Sequence, residues 1–283
     1  MTSCQRAATL LIGACCFMMA NQAPAGSRLQ GTGGVMPIEG GSGGGLSPWG
    51  VLAGTASDTE TAVTVGATRA DVDDYHLVVN GVAANLYDRV ELSYANQRLA
   101  LDTLGGHQAQ EIYGARLRLF GDVLYRPWGS WSLGVQHKQL IEGRELARAV
   151  GARDTQGNDV YLAGSKLFFD AFAGRNLLLN TTLRSTRANQ GGLLGFGGDE
   201  GNHRELMVET SVGLFLNPDW VVGVEYRQKP DNLGFASEDD WRDLYVAWLI
   251  NKHVSLTGAL LDLGSIAGLE QQRGGYLSLQ LAL

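Results

Sequence analysis

Across Gly274–Leu283, the residues Leu277, Leu279, Leu281 and Leu283 alternate with Ser278, Gln280 and Ala282. Successive side chains of a strand point to opposite faces, so one face here is all leucine and the other is small or polar. A strand of this kind closing the sequence needs something apolar outside it and a partner on each edge. A β-barrel in a bilayer supplies both, with lipid outside and the first strand as the missing neighbour. The sequence therefore predicts an all-β fold, an antiparallel up-and-down transmembrane β-barrel of about 12 strands.

Eleven earlier segments carry the same alternation: Thr61–Ala70, Asp74–Ala84, Arg89–Leu99, Glu111–Tyr125, Ser130–Leu140, Asn158–Phe169, Arg175–Thr186, Arg204–Leu216, Trp220–Lys229, Asp240–Ile250 and His253–Leu263. Their expected lipid faces include Val63 and Val65, Tyr75 with Leu77 and Val79, Leu133 and Val135, and Tyr161 with Ala163, Leu167 and Phe169. After Ala84 the connections run short, then long, to the end. Short ones are Asn85–Asp88, Arg126–Gly129, Asp170–Gly174, Asn217–Asp219 and Asn251–Lys252. Long ones are Asp102–Gln110, Ile141–Gly157, Arg187–His203, Pro230–Asp239 and Gly264–Arg273. Such a meander has one rim of turns and one of loops, the periplasmic and outer rims of an outer-membrane barrel. Asp71–Asp73 breaks the rule, being short where a long loop is due. Tyr75, Tyr94, Tyr125, Trp131, Tyr161, Phe169, Trp220 and Trp248 lie near strand ends, where aromatic girdles sit. Ordinary sheet preference for aromatics would also put them there.

A soluble barrel or sandwich is the structural rival. The faces opposite the apolar stripes carry Arg89, Glu91, Arg116, Arg118, Asp122, Lys166, Arg184, Glu205, Glu209, Glu225, Arg227 and Lys229. A soluble sandwich could expose these, but it has no need of strands so long and regular or of an export signal. Mean hydropathy is −0.05, too polar for a helical membrane protein; it suits a barrel that hides its apolar residues in alternate positions and equally an ordinary soluble β protein.

The expected domains are a signal peptide over residues 1–25, a glycine-rich segment over 26–50 and the barrel over 51–283. Arg6, the apolar run Ala7–Ala20 and the small-residue site Ala23-Pro24-Ala25 make the signal. Ile12-Gly13-Ala14-Cys15 offers a lipobox as a rival cleavage site, though Cys16-Phe17-Met18-Met19 is too apolar for a usual tether. The expected address is the outer membrane. Cys4, Cys15 and Cys16 are all in the signal, so the exported chain has no disulfide or thiol nucleophile. Without Arg6, 21 basic residues face 29 acidic ones, which argues against nucleic acid as a partner. Expected partners are outer-membrane lipid, the barrel assembly machinery and a small solute.

Glycine fills ten of the 25 positions from Gly26 to Gly50. Two readings stay open: a flexible periplasmic tail, or a plug folded into the lumen and anchored by Val35, Met36, Ile38 and Trp49. It is not a phosphate loop, since no strand precedes it and no Lys-Ser/Thr follows.

Several stretches resemble an uncharacterised family of proteobacterial outer-membrane β-barrel proteins, a domain of unknown function, number 3034. They are Gly31-Thr32-Gly33-Gly34-Val35, Leu86-Tyr87-Asp88-Arg89-Val90-Glu91-Leu92-Ser93, Arg175-Asn176-Leu177-Leu178-Leu179-Asn180, Leu193-Leu194-Gly195-Phe196-Gly197-Gly198-Asp199 and Lys229-Pro230-Asp231-Asn232-Leu233. The stretch Asp239-Asp240-Trp241 through Val246-Ala247-Trp248 to Asn251-Lys252-His253-Val254-Ser255-Leu256 completes the likeness. The resemblance implies the barrel and its address. It implies no activity, cofactor or catalytic residue. Many barrels end on an aromatic residue that the assembly machinery reads; this chain ends on Leu283.

Three kinds of site remain. His253 and Ser255 share a strand face and could act as base and nucleophile, as in outer-membrane phospholipases, but they fall beside the short Asn251–Lys252 turn and point to the lumen. Glu205 with Glu209, or Asp239 with Asp240, could serve acid–base work but lack a partner constellation. His76, His107, His137, His203 and His253 lie in separate segments, so no metal or cofactor is expected. The expected lumen lining is Arg89, Glu91, Arg116, Arg118, Arg184, Glu209, Glu225 and Arg227, with Arg184 near Glu205 and Glu209 near Arg227. A narrow channel or solute-binding barrel selecting by charge and size follows. A sealed barrel that binds a partner through loops or rim is the alternative, and a lipid-active enzyme comes last.

Overall fold

The computed structural model describes residues 30–283; the expected signal peptide lies outside the described residues. Twelve strands form one closed barrel. They are β1 (Thr61–Val72), β2 (Tyr75–Leu86), β3 (Val90–Leu101), β4 (His107–Gly121), β5 (Ser130–Glu142), β6 (Gln156–Phe172), β7 (Arg175–Thr186), β8 (Glu205–Phe215), β9 (Trp220–Arg227), β10 (Trp241–Leu249), β11 (Val254–Asp262) and β12 (Arg273–Ala282). Each pairs antiparallel with its sequence neighbours, and β1 pairs with β12 from Thr64↔Ala282 to Val72↔Gly274. Reciprocal main-chain bonds between Val63 and Leu283 extend that seam. One short helix, α1 (Arg144–Ala149), sits in the loop between β5 and β6. No helix among the described residues is long and apolar enough to cross a membrane.

The leucine stripe faces out. Leu277 is 58% and Leu279 44% exposed, while Ser278 between them is 5% exposed. The same parity holds on β3, β5, β7, β8 and β10, where Leu92, Val135, Leu183, Val208 and Val246 are exposed. Water would penalise this continuous apolar outer surface and acyl chains would not. Leu277→Arg is therefore expected to destabilise the barrel in lipid vesicles by about 2–4 kcal/mol, as a cation near the bilayer midplane does. Urea unfolding of the refolded protein measures it, and an unchanged midpoint would mean the stripe does not meet lipid.

Two strands reverse the expected faces. On β2, Tyr75 and Val79 are buried inside, and on β6 so are Tyr161, Ala163 and Leu167. Both strands carry apolar residues in both parities, so alternation does not orient them. The inward set is chosen by what fills the lumen: Tyr75 and Val79 pack with Ile38, and Leu167 with Trp49 and Val51. Tyr75 and Tyr161 are thus no part of an aromatic girdle. Trp220 and Trp248 are outward neighbours, stacked with ring centroids 5.3 Å apart.

One rim carries the chain's entry into β1, the end of β12 and the turns 87–89, 122–129, 173–174, 216–219 and 250–253. Tyr87 and Asp88 have φ of 57° and 47°, the paired left-handed residues of a tight hairpin turn, and Arg118 pairs with Asp88 to hold it. β4 stops at Gly121 and not at Tyr125, because Asp122 Oδ1 accepts the N–H groups of Leu124 and Tyr125 and Val123 turns inward onto Trp49. The opposite rim carries the longer loops 143–155, 187–204, 228–240 and 263–272.

Candidate functional site: the filled lumen

Residues 32–56 lie buried inside the barrel, and Gly31 before them is half-buried. The segment folds back on itself: Val35 and Gly43 exchange main-chain bonds at 2.8 Å, Ile38 N–H donates to Gly45 O at 3.0 Å, and Trp49 N–H to Ser42 O at 3.2 Å. Its glycines are there for close approach. A Cβ on Gly50 would strike the Ser130 carbonyl and stand 2.7 Å from Ser165 N, both wall backbone. A Cβ on Gly44 would strike Glu225. Val35, Met36, Ile38 and Trp49, the anchors expected of a lumenal segment, are all buried. The segment also runs past Gly50, since the wall begins only at Thr61.

Wall side chains hold the segment largely by its main chain. Glu91 accepts from Ser42 N–H at 3.3 Å and Ala53 N–H at 2.7 Å. Arg116 donates to the carbonyls of Trp49 at 2.9 Å and Val51 at 2.7 Å, and to Tyr161 Oη at 3.1 Å. Glu225 accepts from Leu46 N–H at 2.7 Å and Ser47 Oγ at 3.1 Å. Asn85 donates to Ala53 O, and Thr182 to Pro48 O. Backbone groups of an irregular segment inside a barrel must find such partners or pay desolvation in full.

One acid of the segment enters an ion network on the wall. Glu39 lies 2.6 Å from Lys138 Nζ, 2.6 Å from Arg227 and 3.0 Å from Arg184. Asp159 is 2.8 Å from Lys138 and 3.3 Å from Arg184; Glu209 is 2.5 Å from Arg184 and 3.5 Å from Arg227. Three acids thus face three bases, and only Glu39 comes from the inserted segment. Arg184 also donates to Gln136 at 2.8 Å and lies 5.2 Å over the Tyr161 ring.

Six of the eight expected lining residues lie here: Glu91, Arg116, Arg184, Glu209, Glu225 and Arg227 are all buried. Two do not. Arg89 is exposed in the turn before β3, where the chain has not yet entered the alternating strand. Arg118 stands at the rim, where it donates to Gly121 O at 2.6 Å and lies 3.7 Å from Asp122. Arg184 pairs with Glu209 and not with Glu205: the register sets Met207 opposite Arg184 with the two glutamates equally two residues off, and Glu209 is the buried one. Glu209 does face Arg227 across β8 and β9. Sequence reading missed Lys138 and Asp159. Lys138 has the parity opposite Leu133 and Val135, a signal that could have found it; Asp159 was hidden by the reversed face of β6.

The loop rim closes the other end. Residues 187–204 dip inward: Gly191 O accepts from Lys138 Nζ at 3.1 Å and Gln110 at 3.4 Å, and Asn189 accepts from Asn232 at 3.0 Å. Lys229 pairs with Glu238 at 2.8 Å, both side chains buried. Burial pushes the Glu238 carboxyl up and the Lys229 ammonium down, each against the pull of its partner. The Gly234 N–H holds the exposed Asp199 carboxyl below its usual range and ties loops 187–204 and 228–240.

His253 Nδ1 bonds the Ala282 carbonyl at 2.8 Å, and Ser255 Oγ is buried with no hydrogen-bond partner. No set of three His, Cys, Asp or Glu residues able to hold a metal occurs among the described residues.

A family profile described as a protein of unknown function (DUF3034) matches residues 32–280. The chain belongs to this family. Among solved structures, the DUF3034 barrel is similar to the KdgM porin, at 10% identity, covering 77% of this chain and 98% of that one, with a TM-score of 0.51. The KdgM porin in complex with disordered oligogalacturonate gives 9%, 77%, 98% and 0.50 for the same measures. Omp33 of Acinetobacter baumannii matches at 8% identity over 80% of this chain and all of that one, with a TM-score of 0.45. No curated protein sequence matches the chain. At such identities the likeness carries the fold alone: a porin-like outer-membrane barrel of twelve strands.

Proposed function

We propose that this DUF3034 barrel is an outer-membrane channel for a small solute, closed at rest by its own N-terminal segment. The role proposed is passage without chemistry; in the His253–Ser255 pair, His253 Nδ1 is bonded to the Ala282 carbonyl and Ser255 Oγ has no hydrogen-bond partner. The single observation that carries the reading is the placement of Glu39. One acid on a glycine-rich, main-chain-bonded insert completes a wall network that otherwise holds three bases against two acids. An insert fixed by so few of its own side chains is a removable part. Selection would follow size and the charges of Arg116, Lys138, Arg184 and Arg227 against the wall acids, without chemistry.

A second reading has an observation of its own. Loops 187–204 and 228–240 fill the far end as residues 31–56 fill the near one, which suits a sealed barrel that binds a partner by loops or rim. Planar-bilayer recording separates the two. The gated channel gives infrequent openings in the full chain and steady current without the insert; the sealed barrel gives neither, and chemical crosslinking then captures a discrete protein at the rim.

A further inference from the structure

Six acids are buried in the lumen, and four of them have cationic partners: Glu39, Glu91, Asp159 and Glu209. Glu225 and Asp243 have none within ion-pair distance, although they are 3% and 6% exposed. They face each other directly in the β9–β10 register, which sets their Cβ atoms about 4.5–5.5 Å apart. Like charges so placed repel, and a buried carboxylate without a counter-charge is strongly disfavoured. Charge balance inside the barrel is therefore short by two, and both missing charges belong at this one place.

The atoms around the pair are hard oxygen donors with unused capacity. Both carboxylate oxygens of Asp243 are buried without a hydrogen-bond partner, and so is Tyr276 Oη. Tyr276 lies against Gly45 of the inserted segment, next to the Leu46–Ser47 turn that Glu225 holds. Tyr245 and Ser211, whose hydroxyls are 3.5 Å apart, complete the surroundings. An unpartnered, buried phenol beside two uncompensated carboxylates is unexplained by packing, because every other wall acid contacting the insert is paired.

We propose that Glu225, Asp243 and Tyr276 form a binding site for one hard divalent cation of the calcium type. Such a cation takes oxygen ligands, fills its shell with main-chain carbonyls and water, and cancels two carboxylates at once. Bound there, it bridges β9, β10 and β12 under the Gly44–Ser47 turn and locks the insert to the wall. The site does not depend on whether the barrel conducts.

Terbium(III), a luminescent substitute for calcium, tests it on the refolded full-length barrel. Trp241, Tyr245 and Tyr276 stand close enough to sensitise its emission. The expected result is saturable emission that calcium displaces, with binding weakened at least ~10-fold by Asp243→Asn, as loss of a ligand to a metal requires. Heat-dependent gel mobility confirms that the variant is folded; if it is not, Tyr276→Phe gives the same reading with a smaller loss. Absence of emission, or emission unchanged in a folded Asp243→Asn barrel, overturns the proposal. In the first case the pair is balanced by protons; in the second the ion sits on the loops.

Discussion

A barrel lacking residues 31–56 is expected to conduct in steady, resolvable steps where the full chain is closed most of the time. The insert occupies the space between the wall side chains Glu91, Arg116, Glu225 and the Arg184 network, and it touches them mainly through its backbone. Its removal takes no strand from the sheet, since β1 begins at Thr61 and closes on β12. The wall charges it covered then meet water, which solvates them, and the largest penalty of losing Glu39 is relieved. Loop 187–204 loses a neighbour at Gly191, where a Cβ would stand 3.6 Å from Glu39 Oε1. Heat-dependent gel mobility is the check that the shortened barrel has folded. A folded shortened barrel without current would remove the channel reading and leave the sealed one.

Arg184→Met costs about 3–5 kcal/mol of stability, the largest loss expected from a single wall side chain. The guanidinium bonds Glu209, Asp159, Glu39 and Gln136 at once, and it is 1% exposed. Methionine fills much of the volume but leaves Glu39, Asp159 and Glu209 facing only Lys138 and Arg227. Because the site is buried, the unpaired acid cannot be screened as a surface one would be. Arg89→Met is the matched control: its side chain is exposed in a turn, and the change stays within about 0.5 kcal/mol. Urea unfolding in lipid vesicles compares them, and equal midpoints would show that the network contributes nothing particular.

The wall was legible in the sequence because one physical rule wrote it. Lipid outside imposes period two on Val63, Leu133, Leu183, Val246 and Leu277, and the alternation of turns and loops follows from crossing a bilayer of fixed thickness. The contents of the lumen obey no period. Residues 31–56 are glycine-rich and irregular, so a tail and a plug look alike until partners such as Arg116 and Glu91 are placed beside them. The same contents misled the face assignments of β2 and β6, where Val79 and Leu167 point inward to meet Ile38 and Trp49. Pairings within the network needed burial as well as register: Glu205 and Glu209 stand equally two residues from Met207, which faces Arg184, and only Glu209 is buried. Lys138 could have been read from parity alone. Asp159 required the correct face of β6 first.

The account rests on residues 31–56 standing inside a lipid-facing barrel and closing it. A Cβ on Gly40 would lie 3.1 Å from Cβ of Ala95 on β3, near the ~3.8 Å of a disulfide. The exported chain carries no cysteine of its own on the expected cleavage, so Gly40→Cys with Ala95→Cys makes a clean tether, at about 1–2 kcal/mol for the left-handed backbone at residue 40. Current through this double variant in a planar bilayer, before and after reduction, is the most direct measurement. The bond should form in the folded, membrane-inserted barrel, abolish every opening, and release them on reduction. A folded barrel in which the two cysteines stay unlinked, or one that conducts while they are linked, would contradict it.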